Sequence, residues 1–318
     1  MVGITNCAFR TLLEEAGAPD YAFSEMASAE AFISHAQYEA FYTDARPSPR
    51  ATSVQFYARS AAALAAACAE LRLRDPGLTP AGVDINFGCS APHIRHSGGG
   101  SAWSSDPAGA AELVAAARAA WAGTLSAKVR MGPDDDYDRF LSFCSRIGGA
   151  GLDFLVVHPR TDGQKFKRSP RHDYIRLLSK DLPFPVVANG DITDTAKARF
   201  LLEEGGAYAI MAGREAVRRP WIFLLLRAGL SGSKPSGTAD RLALGLRFLE
   251  LAESMLPPAW RLETARRFFS YYCETLSFAH HIKYKVMNSP SLALMGRAFA
   301  EYFDQVPGDR LVELENTL

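Results

Sequence analysis

Along residues 1–230, short apolar runs alternate with amphipathic stretches. Runs rich in β-branched and apolar residues fall at Tyr21–Ser24, Thr52–Phe56, Val83–Asn86, Ser126–Arg130, Phe154–His158, Val186–Asn189 and Ala209–Ala212, and each predicts a buried strand. Between them lie helical stretches such as NCAFRTLLEEAG, SAAALAAACAELR, DPAGAAELVAAARAAW, YDRFLSFCSRIGGAG, RHDYIRLLSK and DTAKARFLLEEGG. Gly17, Gly149 and Gly205 read as C-terminal caps, and Asn6, Asp106 and Asp194 as N-terminal caps. Strand–helix repetition of this kind predicts parallel strands joined by helical crossovers.

Eight such units close a barrel, and this chain shows seven. Its opening, MVGITNCAFR, reads as the loop and helix that follow a first strand. An open seam leaves backbone groups unpaired. The expectation is therefore a TIM-type (β/α)8 barrel whose first strand is missing from this chain through a trimmed or mis-assigned start. After Arg218–Arg219–Pro220 the pattern changes: SGSKPSGTAD (Ser231 to Asp240) reads as a linker, and the remainder as helical with no strand signal. The expected division is a barrel over 1–230, a linker over 231–240 and a helical domain over 241–318.

With 318 residues, 48% of them hydrophobic, the chain can bury one large core or one large and one small. Its 35 basic and 35 acidic residues cancel, so no global field marks a nucleic-acid or membrane binder, although a local basic face suffices for RNA. Five cysteines without a C-x-x-C pair suggest neither a disulfide framework nor a zinc site, and point to a reducing cytoplasm. No apolar run approaches the ~20 residues that span a bilayer. The start of the chain lacks the charged and apolar regions of a signal peptide. A cytoplasmic monomer without metal is the expectation.

Cys89 lies in the loop NFGCSAPHIRHSGGGS, past a strand end and walled by Gly88 and Gly98–Gly100, where packing asks for no thiol; Cys68, inside AAALAAACAEL, reads as inert. The other strand ends are also polar: Glu25, Gln55, Asn86, Lys128 with Arg130, His158 with Arg160, Asn189-Gly190-Asp191 and Gly213-Arg214. In barrels the reacting groups sit at such ends, and the last two strands commonly hold a phosphate. Gly190 and Gly213 would let the backbone approach an anion, with Arg214 as a cation; the plainer alternative is turn glycine. Lys128 suits either a Schiff base or charge stabilisation on a cofactor. His158 could donate to the same ligand, although a lone histidine is more often structural.

Together these motifs resemble the tRNA-dihydrouridine synthases. The resemblance runs through VGITNCAFR, Ser24–Met26, the Gln of SVQFYA, DINFGC…GGGS, AKVRMG, VVHPRTDGQ, VVANGDI and MAGREAVRRPWIF, over nearly all of residues 1 to 225. The helical C-terminal region is similar to the family's RNA-binding domain in position and type only. The resemblance implies an FMN enzyme that reduces the C5–C6 bond of specific uridines in tRNA with NADPH or NADH. Hydride would pass from flavin N5 to C6, and Cys89 would protonate C5. Met1, Val2, Gln55, Lys128, His158, Asn189, Gly190, Asp191, Gly213 and Arg214 match positions that hold FMN, and Asn86 and Arg160 match positions facing the base. The chain departs from the family in placing Ser90 and Ala91 between Cys89 and Pro92, and in lacking the first strand.

Competing readings are a flavin barrel acting on a free pyrimidine, similar to dihydroorotate dehydrogenase, a Schiff-base aldolase using Lys128, and a non-catalytic RNA-binding relative. Arg95, His96, Lys165, Lys167, Arg168, Arg171 and His172 fall on loops at the expected pocket mouth, where they could meet RNA phosphates or simply face solvent. A second basic set, Arg266, Arg267, His280, His281, Lys283 and Lys285, is interleaved with aromatics in the helical region and is expected to grip the tRNA body.

Overall fold

Strands form where apolar, β-branched runs are bounded by glycine or polar turns. The computed structural model, which describes residues 1–74, 76–165 and 167–316, contains β1 (Ala22–Ser28), β2 (Thr52–Tyr57), β3 (Gly82–Phe87), β4 (Thr124–Arg130), β5 (Phe154–His158), β6 (Val186–Asn189) and β7 (Ala209–Met211). They form one seven-stranded sheet in sequential order, with every neighbouring pair parallel. This order, with helical crossovers, is that of a β/α barrel one strand short, and no eighth strand joins the sheet among the described residues.

Alternation along the middle strands separates two faces. Val83, Ile85, Leu125, Ala127 and Val129 form the apolar set and are buried, while Asp84, Asn86, Ser126, Lys128 and Arg130 occupy the alternate positions. Helix Ala61–Arg72 buries Leu64, Ala67, Cys68 and Leu71, and helix Pro107–Ala120 buries Leu113, Val114 and Ala117. The Asp106 carboxylate caps the second of these helices by accepting from Gly109 N at 3.0 Å. Gly149 is the last residue of its helix, and the cap is Ala150. Strand β1 runs past the expected end to Ser28, with a register shift between Phe23 and Met26, so Glu25 lies inside the strand at its irregularity.

By its internal contacts the chain groups into two compact units: Tyr21–Ile192 with Lys197–Ala212, and Met1–Asp20 with Thr193–Ala196 and Gly213–Leu318. The first holds the sheet. The second is mainly helical and takes in residues 1–20 and 213–230 as well as the C-terminal helices. Its core is aromatic: Phe248 stacks on Phe268 at 3.9 Å between ring centroids, and Phe268 on Tyr272 at 4.8 Å. One expectation fails here. The segment read as a linker ends in β8 (Thr238–Asp240), which pairs antiparallel with β9 (Leu311–Glu313). Three-residue strands carry no alternation long enough to read. No described helix is long and apolar enough to cross a membrane.

Candidate active site

Asn86, near the end of β3, organises the cysteine loop. Its Oδ1 accepts from Gly88 N at 3.1 Å and from Cys89 N at 2.8 Å, so the turn that carries the thiol closes on the strand that precedes it. The returning chain then runs against it, with Ser101 N donating to Cys89 O at 2.9 Å. Gly100 adopts φ +58°, and a Cβ there would lie 2.5 Å from Cys89 O and 3.2 Å from Cys89 Cβ. Within the glycine run, Gly100 is the residue against which the cysteine rests. Gly100→Ala, which adds a methyl and demands a left-handed backbone, is expected to cost about 1–3 kcal/mol of stability. It should also slow the chemistry at Cys89; a urea titration and a turnover assay check the two effects separately.

Cys89 is half-buried, whereas Cys7, Cys68, Cys144 and Cys273 are all buried. Burial pushes the Cys68 and Cys273 thiols up to about 12, and Cys144 higher still. Those thiols stay protonated and out of reach. Cys89 is the cysteine open to a reaction partner.

Lys128 sits across the β3–β4 register from Asn86. It keeps partial exposure, yet desolvation of its ammonium, followed by repulsion from Arg130, lowers it to about 8; Asp84 and Cys89 oppose the fall. Gln55 and Asn86 are joined through Asn86 Nδ2, which donates to Gln55 Oε1 at 2.8 Å and lies 3.5 Å from Met26 Sδ. Beneath them Asp84 is fully buried. It accepts from Ser126 Oγ and Gln55 Nε2, both at 2.6 Å. Sequence reading passed over Asp84 and Ser126. The available signal was a carboxylate within an otherwise apolar strand, VDIN.

At the ends of β5 and β6 the expected residues meet. Arg160 is 1% exposed. Its Nη2 donates to Asp191 Oδ2 at 2.5 Å and its Nε to Arg168 O at 2.5 Å. Its Nη1 lies 3.0 Å from His158 Nε2 and 3.3 Å from Asp191 Oδ1. A guanidinium only donates, so His158 Nε2 accepts and the ring proton sits on Nδ1. Gly190 has φ +111°, and a Cβ there would come within 2.8 Å of His158 Cδ2. His172, buried and lowered by desolvation and then by Lys197, donates from Nε2 to Gly190 O at 2.9 Å. Asn189 Nδ2 donates to Met211 O at 2.8 Å. The sheet unit thus brings together Gln55, Asn86, Cys89 and Lys128 in one cluster and His158, Arg160, Gly190 and Asp191 in another.

Met1, Val2, Gly213 and Arg214 belong to the helical unit. There Met1 N donates to Thr5 Oγ1 at 2.7 Å. A Cβ at Gly213 would meet nothing nearer than Met1 Sδ at 3.7 Å, so packing does not demand glycine at that position. Of the loop cations, Arg95, His96, Lys165, Lys167 and Arg168 are exposed, whereas Arg171 pairs with Asp135 and Asp173 and His172 is the buried donor described above. In the helical region Arg266 donates to Ser289 O, Arg267 to Glu263, and Lys283 lies 3.7 Å from Glu274. Phe278 and Tyr284 are exposed there, as are His280 and His281.

The family model for dihydrouridine synthases matches residues 1–293. The chain belongs to the dihydrouridine synthase family. Among curated relatives, a probable tRNA-dihydrouridine synthase of Rickettsia conorii is 30% identical over 318 residues, spanning 96% of this chain and 92% of that protein. One from Rhodobacter capsulatus is 31% identical over 315 residues, spanning 95% and 93%. The tRNA-dihydrouridine synthase B of Pseudomonas putida is 32% identical over 223 residues, or 70% and 65% of the two chains. Dihydrouridine synthases are oxidoreductases, and this chain is an enzyme of that family. The matched span of the dihydrouridine synthase model takes in both clusters of the sheet unit and most of the helical unit.

Proposed function

We propose that the protein reduces the C5–C6 double bond of uridine in tRNA to 5,6-dihydrouridine, with FMN as cofactor and NADPH or NADH as reductant. The observation that carries this reading is the half-buried Cys89, held by Asn86 at the end of β3 with Lys128 across the register. That arrangement places an acid, which a hydride reduction of a double bond needs to complete it, beside a cation that can offset developing negative charge. Family membership and the names of the relatives support the substrate, and favour it over a free pyrimidine or an aldol reaction.

The residues present fit FMN by the chemistry of their donors. Lys128, His158 and Asn189 offer a cation, an imidazole and an amide, and Gly190 occupies a place where a side chain would strike His158. We assign Gln55, Lys128, His158, Asn189, Gly190 and Asp191 of the sheet unit to the cofactor. Bound FMN would supply the hydride that C6 of the uracil ring accepts. Cys89 donates the proton to C5, and its partial exposure lets the thiol recover a proton from solvent. Lys128 offsets negative charge that develops beside it. Asn86 fixes the Cys89 amide, and Arg160 holds His158 and Asp191 in place. A target base must leave its stack to reach such a cluster. Flavin released from protein purified without added cofactor, identified by absorbance and mass, checks the cofactor assignment.

The helical region over 241–318 is proposed to hold the tRNA body, in a chain that acts as a cytoplasmic monomer. Arg266 and Arg267 donate hydrogen bonds within the protein, whereas Lys283, 3.7 Å from Glu274, lies beyond hydrogen-bond reach of it, which narrows the expected basic set to Lys283, Lys285, His280 and His281 beside exposed Phe278 and Tyr284. Replacing Lys283 and Lys285 by alanine should weaken tRNA binding and reduce its log–log salt slope by about one unit per lost phosphate contact. Flavin content should not change. An unaltered slope would place the RNA grip on the exposed loop cations Arg95, Lys165, Lys167 and Arg168.

A further inference from the structure

Three side chains stand in one row across β2, β3 and β4, because the register sets Gln55 opposite Asp84 and Asp84 opposite Ser126. From that row a chain of hydrogen bonds leads to the thiol loop. Gln55 Nε2 donates to Asp84 Oδ2 at 2.6 Å, and Asn86 Nδ2 to Gln55 Oε1 at 2.8 Å. Gly88 N and Cys89 N then donate to Asn86 Oδ1. Each link has a direction. An ionised carboxylate only accepts and a backbone N–H only donates. The two amides between these fixed ends therefore have one orientation each that satisfies both neighbours. Turning either over sets donor against donor or acceptor against acceptor in a buried place.

We propose that Asp84 is a positioning residue for Cys89: through Gln55 and Asn86, its carboxylate fixes the loop that presents the thiol. This deepens the reading of Cys89 as the proton donor and rests on it for its consequence in turnover. Asp84 touches no reacting atom itself.

The cost of keeping a carboxylate there supports the assignment. Burial raises Asp84 to about 6, against the donors Ser126 and Gln55 and the charge of Lys128. The groups facing it are therefore Ser126 and Lys128 on β4 and Gln55 on β2, while the Tyr21 phenol is raised in part by its charge. Arg130 and Cys89 act on Lys128 in turn. The sign follows directly. Between its ordinary value near 4 and about 6, the folded protein keeps a proton on Asp84 that the unfolded chain has lost. Stability therefore falls as pH rises through that window and is not recovered at neutral pH. An apolar residue in this row would avoid the loss, but it could not orient Gln55.

Alkylation by iodoacetamide at pH 7.5, followed by intact mass, reads the loop through Cys89, because the other four cysteines are buried. The amide introduced by Asp84→Asn can present either end to Gln55, so the relay is fixed from its backbone end alone and loses the charged acceptor that held the other. Cys89 should then react about threefold faster or more, and uridine reduction should slow about tenfold, with melting temperature at neutral pH unchanged or raised. The double variant Asp84→Asn with Gln55→Glu moves the carboxylate one link along. The introduced carboxylate accepts from both the introduced amide and Asn86 Nδ2, and alkylation should return to within about twofold of wild type. If Asp84→Asn does not fold, Gln55→Leu breaks the same relay and should produce the same acceleration. Wild-type alkylation in Asp84→Asn (or, failing that variant, in Gln55→Leu), or a double variant that reacts as fast as Asp84→Asn, overturns the proposal. Alkylation needs neither tRNA nor turnover. A wild-type protein that makes no dihydrouridine would refute the proposed function and leave the relay to be decided on its own.

Discussion

Cys89→Ala should lower dihydrouridine formation about 10²–10⁴-fold, the range over which a positioned acid acts, while flavin content and NADPH oxidation without tRNA stay near wild type. The reason is local. The thiol is the half-buried member of five cysteines, and its backbone is fixed from both sides by Asn86 and Ser101. Removing Sγ deletes the proton source without touching the hydrogen bonds that hold the loop. Cys89→Ser should fall between the two, since a hydroxyl keeps the position but is a far weaker acid. Single-turnover mixing of the reduced protein with unmodified tRNA separates the uridine step from cofactor reduction. Loss of both steps in Cys89→Ala would mean that the cysteine serves the cofactor.

Lys128→Met should slow the reductive half-reaction with NADPH about 10²-fold, the scale of removing one fixed charge from a developing anion. Methionine keeps most of the side-chain volume and none of the charge. The pH dependence carries the sharper prediction. Desolvation, with Arg130 nearby, lowers the Lys128 ammonium to about 8, so it is charged below that pH and neutral above it. Cofactor reduction should therefore decline as pH rises through about 8. Measuring this in the Cys89→Ala background removes the thiol from the titration, and Lys128→Met in that background should erase the step. A step that survives the substitution belongs to another group and would remove Lys128 from its proposed role.

Much of the sheet could be read in the chain because each strand is a short apolar run bounded by punctuating residues. Phe154–His158 and Val186–Asn189 fall where the pattern sets them. Cys89, Asn86 and Lys128 were legible as polar residues at strand ends, and the β3–β4 register then brings Asn86 and Lys128 opposite each other. Longer-range pairing left no such trace. Nothing near Arg160 in sequence announces that its guanidinium is committed to Asp191 and Arg168 O, or near Arg266 that Ser289 O accepts from it. The β8–β9 pair joins segments some seventy residues apart with three residues each. Asp84 was visible as a letter but its role was not, because that depends on which neighbours the register sets beside it.

The proposed reaction adds two hydrogens across a uridine double bond, with Cys89 supplying one of them. Unmodified tRNA incubated with the protein, FMN and NADPH, then digested and analysed by mass spectrometry, measures this directly. A uridine-containing fragment heavier by two hydrogens is expected with wild-type protein, and no such fragment with Cys89→Ala. Equal product from the two proteins would contradict the assignment of Cys89, and no mass gain with flavin-loaded wild-type protein would contradict the proposed reaction.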